Sequence, residues 1–324
     1  MIDNIKITVS NYSPNEKISW KPSNKDNSAC PHKTFQKAKL FNSQFKKKKH
    51  SLKLLLTADE KKDEFSLSIR GSIRKWYYQE NSRKDLNYAE FVDCIGLLAR
   101  EIGMRENELW NSKVVKVEVG VTLLVDKKFK GIKDCFVRYR NSSRYEKGDE
   151  ITTVYFGFKN YKLKIYDKYI EMNKRKNLES HPYSEVNERL HFPRLEIVVN
   201  KVSGVPFFKK KANTLRKIEE NWDEILEKFL NHFKKVNFVN ILSAENRLRE
   251  IGSYADFRNF LAYEGINNYG LSECLDCLNH TGILTNNKTK YMNDLTKLYE
   301  SFKVKDDQLK EEFFERLEKK LNRI

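Results

Sequence analysis

Tyr166 stands near the end of a short alternating segment, Lys162-Leu-Lys-Ile-Tyr-Asp-Lys168, with Lys164 and Lys168 two residues to either side. With period two, Leu163 and Ile165 face one way and Lys164, Tyr166 and Lys168 the other. A phenol held between ammonium groups at a strand end suits a nucleophile that attacks a phosphodiester. It equally suits a tyrosine on the solvated face of a basic strand. Two further segments bear on the choice. Glu118 interrupts a Val-rich run at 113–125, sharing its face with Lys116, Gly120 and Thr122, and Arg194, Glu196 and Asn200 share the polar face of 194–200. A glutamate inside such a strand opposes β propensity, and here it happens twice. Singly, each reads as a solvent-facing partner of a Lys or Arg; together with the tyrosine they read as a site. Tyrosine attack on a phosphodiester needs the phosphate neutralised and the phenol deprotonated. Glu118 and Glu196 as metal ligands would hold a hard divalent cation, Mg2+ or Mn2+, on the phosphate. Lys164 and Lys168 would favour the phenolate of Tyr166. The products are a phosphotyrosine and a free 3′-hydroxyl.

Positioning these groups requires a sheet with one polar face. Alternation predicts strands at 2–9, 51–56, 65–73, 113–125, 152–158, 162–168 and 194–200. Residues 11–50 are polar and lysine-rich, and the run ending them, Phe45-Lys-Lys-Lys-Lys-His50, reads as a solvated loop or edge or as a strand margin that contacts a nucleic-acid backbone. Helical spacing at 88–102 (Phe91, Ile95, Leu98, Ile102) and about 169–177 predicts the helices that cover the apolar face. The fold class is therefore α+β: an antiparallel sheet covered by helices on one face, the other open, polar and basic. From 213 onward the pattern turns helical, with a long helix at 215–236 and shorter ones near 243–251, 254–263, 270–279, 288–302 and 306–323. Two domains follow, 1–205 with the site and 206–324 all-helical.

The formal net charge of +17 over 324 residues favours a polyanionic partner, nucleic acid above all. Five scattered cysteines argue against a disulfide framework, and Cys274-Leu-Asp-Cys277 lacks a second pair, so it reads as helix packing. Without a long apolar run or a signal-peptide core, the expected location is the cytoplasm, with no membrane partner.

In their order, four blocks resemble the filamentous-phage gene II/X replication initiators, relatives of plasmid rolling-circle initiators in the HUH endonuclease superfamily. They are Met1-Ile-Asp, Lys116-Val-Glu-Val-Gly-Val-Thr122, Leu163-Lys-Ile-Tyr-Asp-Lys-Tyr-Ile-Glu171 and Arg194-Leu-Glu-Ile-Val-Val-Asn-Lys-Val-Ser-Gly204. The resemblance covers about residues 1–210 and implies a nuclease domain of that fold. It puts the nicking tyrosine at Tyr166, with Tyr169 as the second candidate, and acidic residues at Glu118 and Glu196. Gln79-Glu80-Asn81 falls on a short polar motif, which makes Glu80 a third metal ligand. The superfamily's His-x-His pair is absent from the six histidines. The implied activity is rolling-circle initiation: one strand of origin DNA is nicked, held through a 5′-phosphotyrosine and rejoined. The partners would be single-stranded or supercoiled origin DNA and a host helicase or polymerase.

Arg70, Arg74 and Arg194, with Lys47 and Lys48 of the lysine run, are the expected DNA contacts. In the helical part, 254–279 with Gly265–Gly270 as its turn matches a helix-turn-helix. The competing reading is a non-catalytic origin-binding protein or repressor using the same basic face, for which paired glutamates would be a liability. A plain single-strand binder would want aromatic residues on that face.

Overall fold

The computed structural model describes residues 1–23, 32–80, 83–143, 145–146, 153–173, 190–238, 252–280 and 288–324. In chain order the first strands are β1 (Ile2–Ser10), β2 (Lys21–Pro22), β3 (Lys33–Phe41), β4 (Ser51–Asp59), β5 (Glu64–Ser72) and β6 (Lys113–Thr122). Then come β7 (Val125–Asp126), β8 (Phe136–Tyr139), β9 (Ser142–Ser143), β10 (Tyr145–Glu146) and β11 (Thr153–Gly157). The last are β12 (Tyr161–Asp167), β13 (Leu190–His191), β14 (Pro193–Val199) and β15 (Asn237–Phe238). Ten of them form one antiparallel sheet in the order β10-β11-β12-β14-β6-β1-β5-β4-β3-β2. The predicted strands are all present, and so is the α+β class.

The strands form because alternate residues bury. Ile5, Ile7 and Val9 of β1, Leu67 and Ile69 of β5, and Val117, Val119 and Val121 of β6 all enter the core. β3 falls in the polar, lysine-rich stretch to which the sequence assigned no strand. It has one buried apolar residue, Leu40, so it lies in the sheet without the alternation that marks the others.

Helix α1 (Ile73–Tyr78) follows β5 directly, and α2 (Tyr88–Ile102) opens on a reciprocal Asn87–Glu90 capping box. It ends at Gly103, whose φ of +72° suits glycine. Phe91, Ile95 and Leu98 bury as predicted. α3 (Glu106–Trp110), α4 (Lys168–Asn173), α5 (Pro206–Lys211), α6 (Leu215–Glu220) and α7 (Trp222–Lys234) complete the helices nearest the sheet. The expected helix at 215–236 is broken at Asn221, which ends α6 and opens α7. α4 was expected to cover the apolar face. None of its residues joins the core: Lys168 turns into the polar side and Ile170 is exposed.

Three further helices follow: Tyr254–Tyr269, Leu271–His280 and Lys288–Leu321. The helices expected at 288–302 and 306–323 are therefore one, and the helix expected at 243–251 lies outside the described residues. Gly265 sits inside a helix and the chain turns only at Gly270, so the expected helix-turn-helix lacks its turn. Among the described residues no helix is long and apolar enough to cross a membrane.

The boundary expected at 205/206 does not divide the packing. Leu215, Ile218, Trp222, Phe229 and Phe233 belong to the same core as the sheet. Trp222 lies 5.2 Å from Phe91 between ring centroids. The far end of the last helix returns to this body through Phe313, 5.8 Å from Phe136, and the Ile324 carbonyl accepts a hydrogen bond from the Tyr88 amide at 2.7 Å.

Candidate active site

Register brings the polar residues together. β14 lies between β12 and β6, with Glu196 opposite Lys164 on one side and Gly120 on the other. Arg194 stands opposite Tyr166 and Thr122. A strand with one solvated face should alternate in burial, yet every residue of β14 is buried. The polar face expected to be open is closed here by its own side chains.

Arg194 is the hub, with no exposed surface. Its Nε donates to Glu196 Oε1 at 2.6 Å and its Nη2 to Asp3 Oδ2 at 2.8 Å. Its Nη1 donates to Asp85 Oδ1 and Thr122 Oγ1, both at 2.7 Å. Asp85 Oδ2 in turn accepts the Thr122 amide at 2.9 Å. Asp3 also takes the Ser72 hydroxyl on Oδ1 and lies 3.3 Å from Arg74 Nε. Gly120 makes room for the hub: a Cβ there would come within 2.8 Å of Arg194 Nη2 and 2.9 Å of Glu196 Cγ.

Tyr166 is 5% exposed, and its phenol donates to Glu196 Oε1 at 2.8 Å. Lys164 Nζ donates to Glu196 Oε2 at 2.7 Å. The lysines were expected to draw the phenol toward phenolate. Instead Lys164 Nζ lies 4.0 Å from the centroid of the tyrosine ring and Lys168 Nζ 5.9 Å. Burial, and then the Glu196 charge, push the phenol well above its ordinary value, so the resting phenol is protonated. Burial works against the charge of Glu196, but Arg194 and Lys164 overcome it and hold the carboxyl at about 2. Asp3 is held low in the same way, against burial, by Arg74 and Arg194. Burial brings Lys168 down to about 8, although it is paired with Glu171 at 2.5 Å.

Glu118 is the exception. Burial, then the Glu196 and Asp3 charges, push it up to about 8. Among the described residues it has no hydrogen-bond or ion-pair partner, unlike the other carboxylates of the cluster. Carboxylate oxygens of Asp3, Glu118 and Glu196 all lie within 4.8 Å of one another. Three oxygen donors converging, one of them uncompensated, fit a hard divalent cation. Arg194 and Lys164 already satisfy much of Glu196, and Arg194, Arg74 and Ser72 much of Asp3, so Glu118 has the greatest capacity to ligate.

The remaining predicted residues sit apart. Glu80 is exposed and does not join the carboxylate cluster, which corrects its assignment as the third ligand. The third carboxylate of the cluster is Asp3. Arg74 and Arg194 are buried against carboxylates, so neither presents its guanidinium to DNA. Arg70 is exposed on β5, and Lys47 and Lys48 are exposed between β3 and β4. Tyr169 is half-buried on α4, its amide donating to Asp167 Oδ1 at 2.8 Å.

Asp3 and Asp85 escaped sequence reasoning. Alternation groups residue 3 with Ile5, Ile7 and Val9, but the register with β6 slips between Ile2 and Ile5, and that irregularity turns Asp3 to the polar face. Asp85 precedes α2 in a segment with no periodicity. Compared with protein-family models, curated proteins and solved structures, the chain finds no match.

Proposed function

We propose that this protein is a metal-dependent nicking endonuclease of the replication-initiator type, with Tyr166 as nucleophile. The observation that carries the reading is the 2.8 Å hydrogen bond from the Tyr166 phenol to Glu196, inside a cluster of three converging carboxylates. A nucleophile bonded to a base that a third group orients is the general pattern of covalent catalysis, and Arg194 is that third group. In the reaction Tyr166 Oη attacks phosphorus and Glu196 takes the phenolic proton. The bond to the 3′-oxygen breaks, that oxygen takes up a proton, and a 5′-phosphotyrosine remains. Attack by the 3′-hydroxyl reverses the step and rejoins the strand.

Magnitudes limit this scheme. Moving a proton from a phenol raised above its ordinary value to a carboxyl held far below its own is strongly uphill. The phenol therefore does not ionise in the resting site. A divalent cation held by Asp3, Glu118 and Glu196 would supply positive charge to the phosphate and the developing phenolate. The HUH-type fold is part of this proposal, supported by the antiparallel sheet and by block order.

A non-catalytic DNA-binding protein is the second reading, favoured by the 5% exposure of Tyr166 and the saturation of Glu196. Supercoiled origin plasmid incubated with Mg2+ or Mn2+ separates the two. The nicking reading expects relaxed circles with wild type and at least a hundredfold less, on the order expected for losing a catalytic group, with Tyr166→Phe or Glu118→Ala. Relaxation by Tyr166→Phe at the wild-type rate, or none by wild type, refutes it.

A further inference from the structure

Away from the carboxylates, the solvated face of the sheet carries a row of cations. Pairing runs Lys116 to Lys6, Lys6 to Arg70, Arg70 to Lys53 and Lys53 to Lys39, each directly opposite the next on neighbouring strands. No acidic residue interrupts this register. Among the described residues none of the five has an ion-pair partner, and Arg70, Lys53 and Lys39 are exposed. Like charges directly opposite destabilise a sheet. Lysines are common on edge strands, where they discourage aggregation, but β6, β1, β5 and β4 are interior strands. Protection of an edge does not account for the row.

Its geometry suits a polyanion. Five strands at about 4.8 Å spacing make a line of roughly 19 Å across the sheet. Lys116, at one end, is two residues from Glu118 on the same face of β6, so the row begins at the carboxylate cluster. Beyond that cluster lies an aromatic pair. Tyr145 and Tyr155 stack at 5.3 Å with rings 17° from parallel, and Lys162 Nζ lies 5.0 Å from the Tyr155 centroid. Tyr145 remains 37% exposed, its ring over Gly157, where a Cβ would meet it at 3.0 Å. Stacked aromatics beside a cation are a platform for an unpaired base.

We infer that a single-stranded nucleic acid crosses the sheet at right angles to its strands. Its phosphates lie on Lys116, Lys6, Arg70, Lys53 and Lys39, and an unpaired base beyond the cluster stacks at Tyr145 and Tyr155. This deepens the nicking reading and rests on it for the choice of polyanion.

The test is binding of a fluorescent 20-nucleotide single strand to the full chain in EDTA, where cleavage does not contribute. The matching duplex and anionic phosphatidylserine vesicles are run alongside. Replacing Lys6, Arg70 and Lys53 together by Gln should weaken single-strand binding at least tenfold at 0.1 M salt. It should flatten the log–log salt slope by about 2, at about 0.7 per phosphate contact. The same substitutions should raise the melting temperature, because they relieve like-charge opposition. Replacing Lys209, Lys210 and Lys235, exposed on the helical side, removes equal charge and should change binding less than threefold. Tyr145→Ser should weaken the single strand about tenfold and the duplex little. An unchanged affinity and slope in the Lys6/Arg70/Lys53 variant overturns the inference, as does tighter binding of duplex or of vesicles. Loss of binding in that variant with no nicking by wild type would sink the nicking reading and leave the track standing.

Discussion

Glu118 carries the clearest consequence at the scale of single residues. Its carboxyl, raised to about 8, keeps a proton in the folded protein that the unfolded chain releases near 4.5. The folded state thus binds more protons between those values, and its stability falls as pH rises from 4.5 to 8. Glu118→Gln removes the penalty: without cations it should be more stable than wild type at pH 8, by on the order of 4 kcal/mol, and equal near pH 4. Urea titrations at the two pH values check this. Millimolar Mg2+ or Mn2+ should stabilise wild type increasingly toward pH 8 and leave the variant unmoved. Arg194 gives the opposite expectation. Arg194→Met strands Asp3, Asp85 and Glu196 as buried charges and should cost about 3–5 kcal/mol in the same titration. At this scale the sequence disclosed Tyr166, Glu118 and Glu196, because glutamates in Val-rich strands violate local preference. It did not disclose that Arg194 is an internal hub, since a basic residue on a polar face reads the same whether solvent or carboxylates meet it.

Among the elements, β6 and β14 set the site through one small residue. Gly120 leaves a gap opposite Glu196 that Arg194 fills, so Gly120→Ala should cost about 1–3 kcal/mol by overpacking, measured by thermal melting. The same variant should lose nicking even where it remains folded. The strands were legible because one apolar face leaves a period of two. β3 was not, since little of it buries, and Asp3 was not, since a single irregularity in β1 reverses the alternation it was read from. The helices from 215 onward were legible in type, but breaks at Asn221 and joins across 303–306 depend on packing that local propensity does not record.

For the whole molecule, the helices from 206 to 234 and the far end of the last helix share the core of the sheet, while Phe260, Tyr263 and Ile266 bury outside it. Leu317→Ala, more than a hundred residues beyond the expected boundary, should destabilise the sheet body by about 2–5 kcal/mol, read from the near-ultraviolet dichroism of the core aromatics. Composition indicated a polyanion partner at this scale, and the row from Lys116 to Lys39 gives that charge a location only pairing register reveals. The central claim concerns a covalent bond, and mass spectrometry addresses it directly. After reaction with origin DNA and Mn2+, nuclease trimming and trypsin, cleavage at Lys164 and Lys168 separates Tyr166 from Tyr169. A nucleotide adduct on the peptide 165–168 is the predicted result; an adduct on the peptide beginning at Tyr169, or nicked DNA with no adduct, would contradict it.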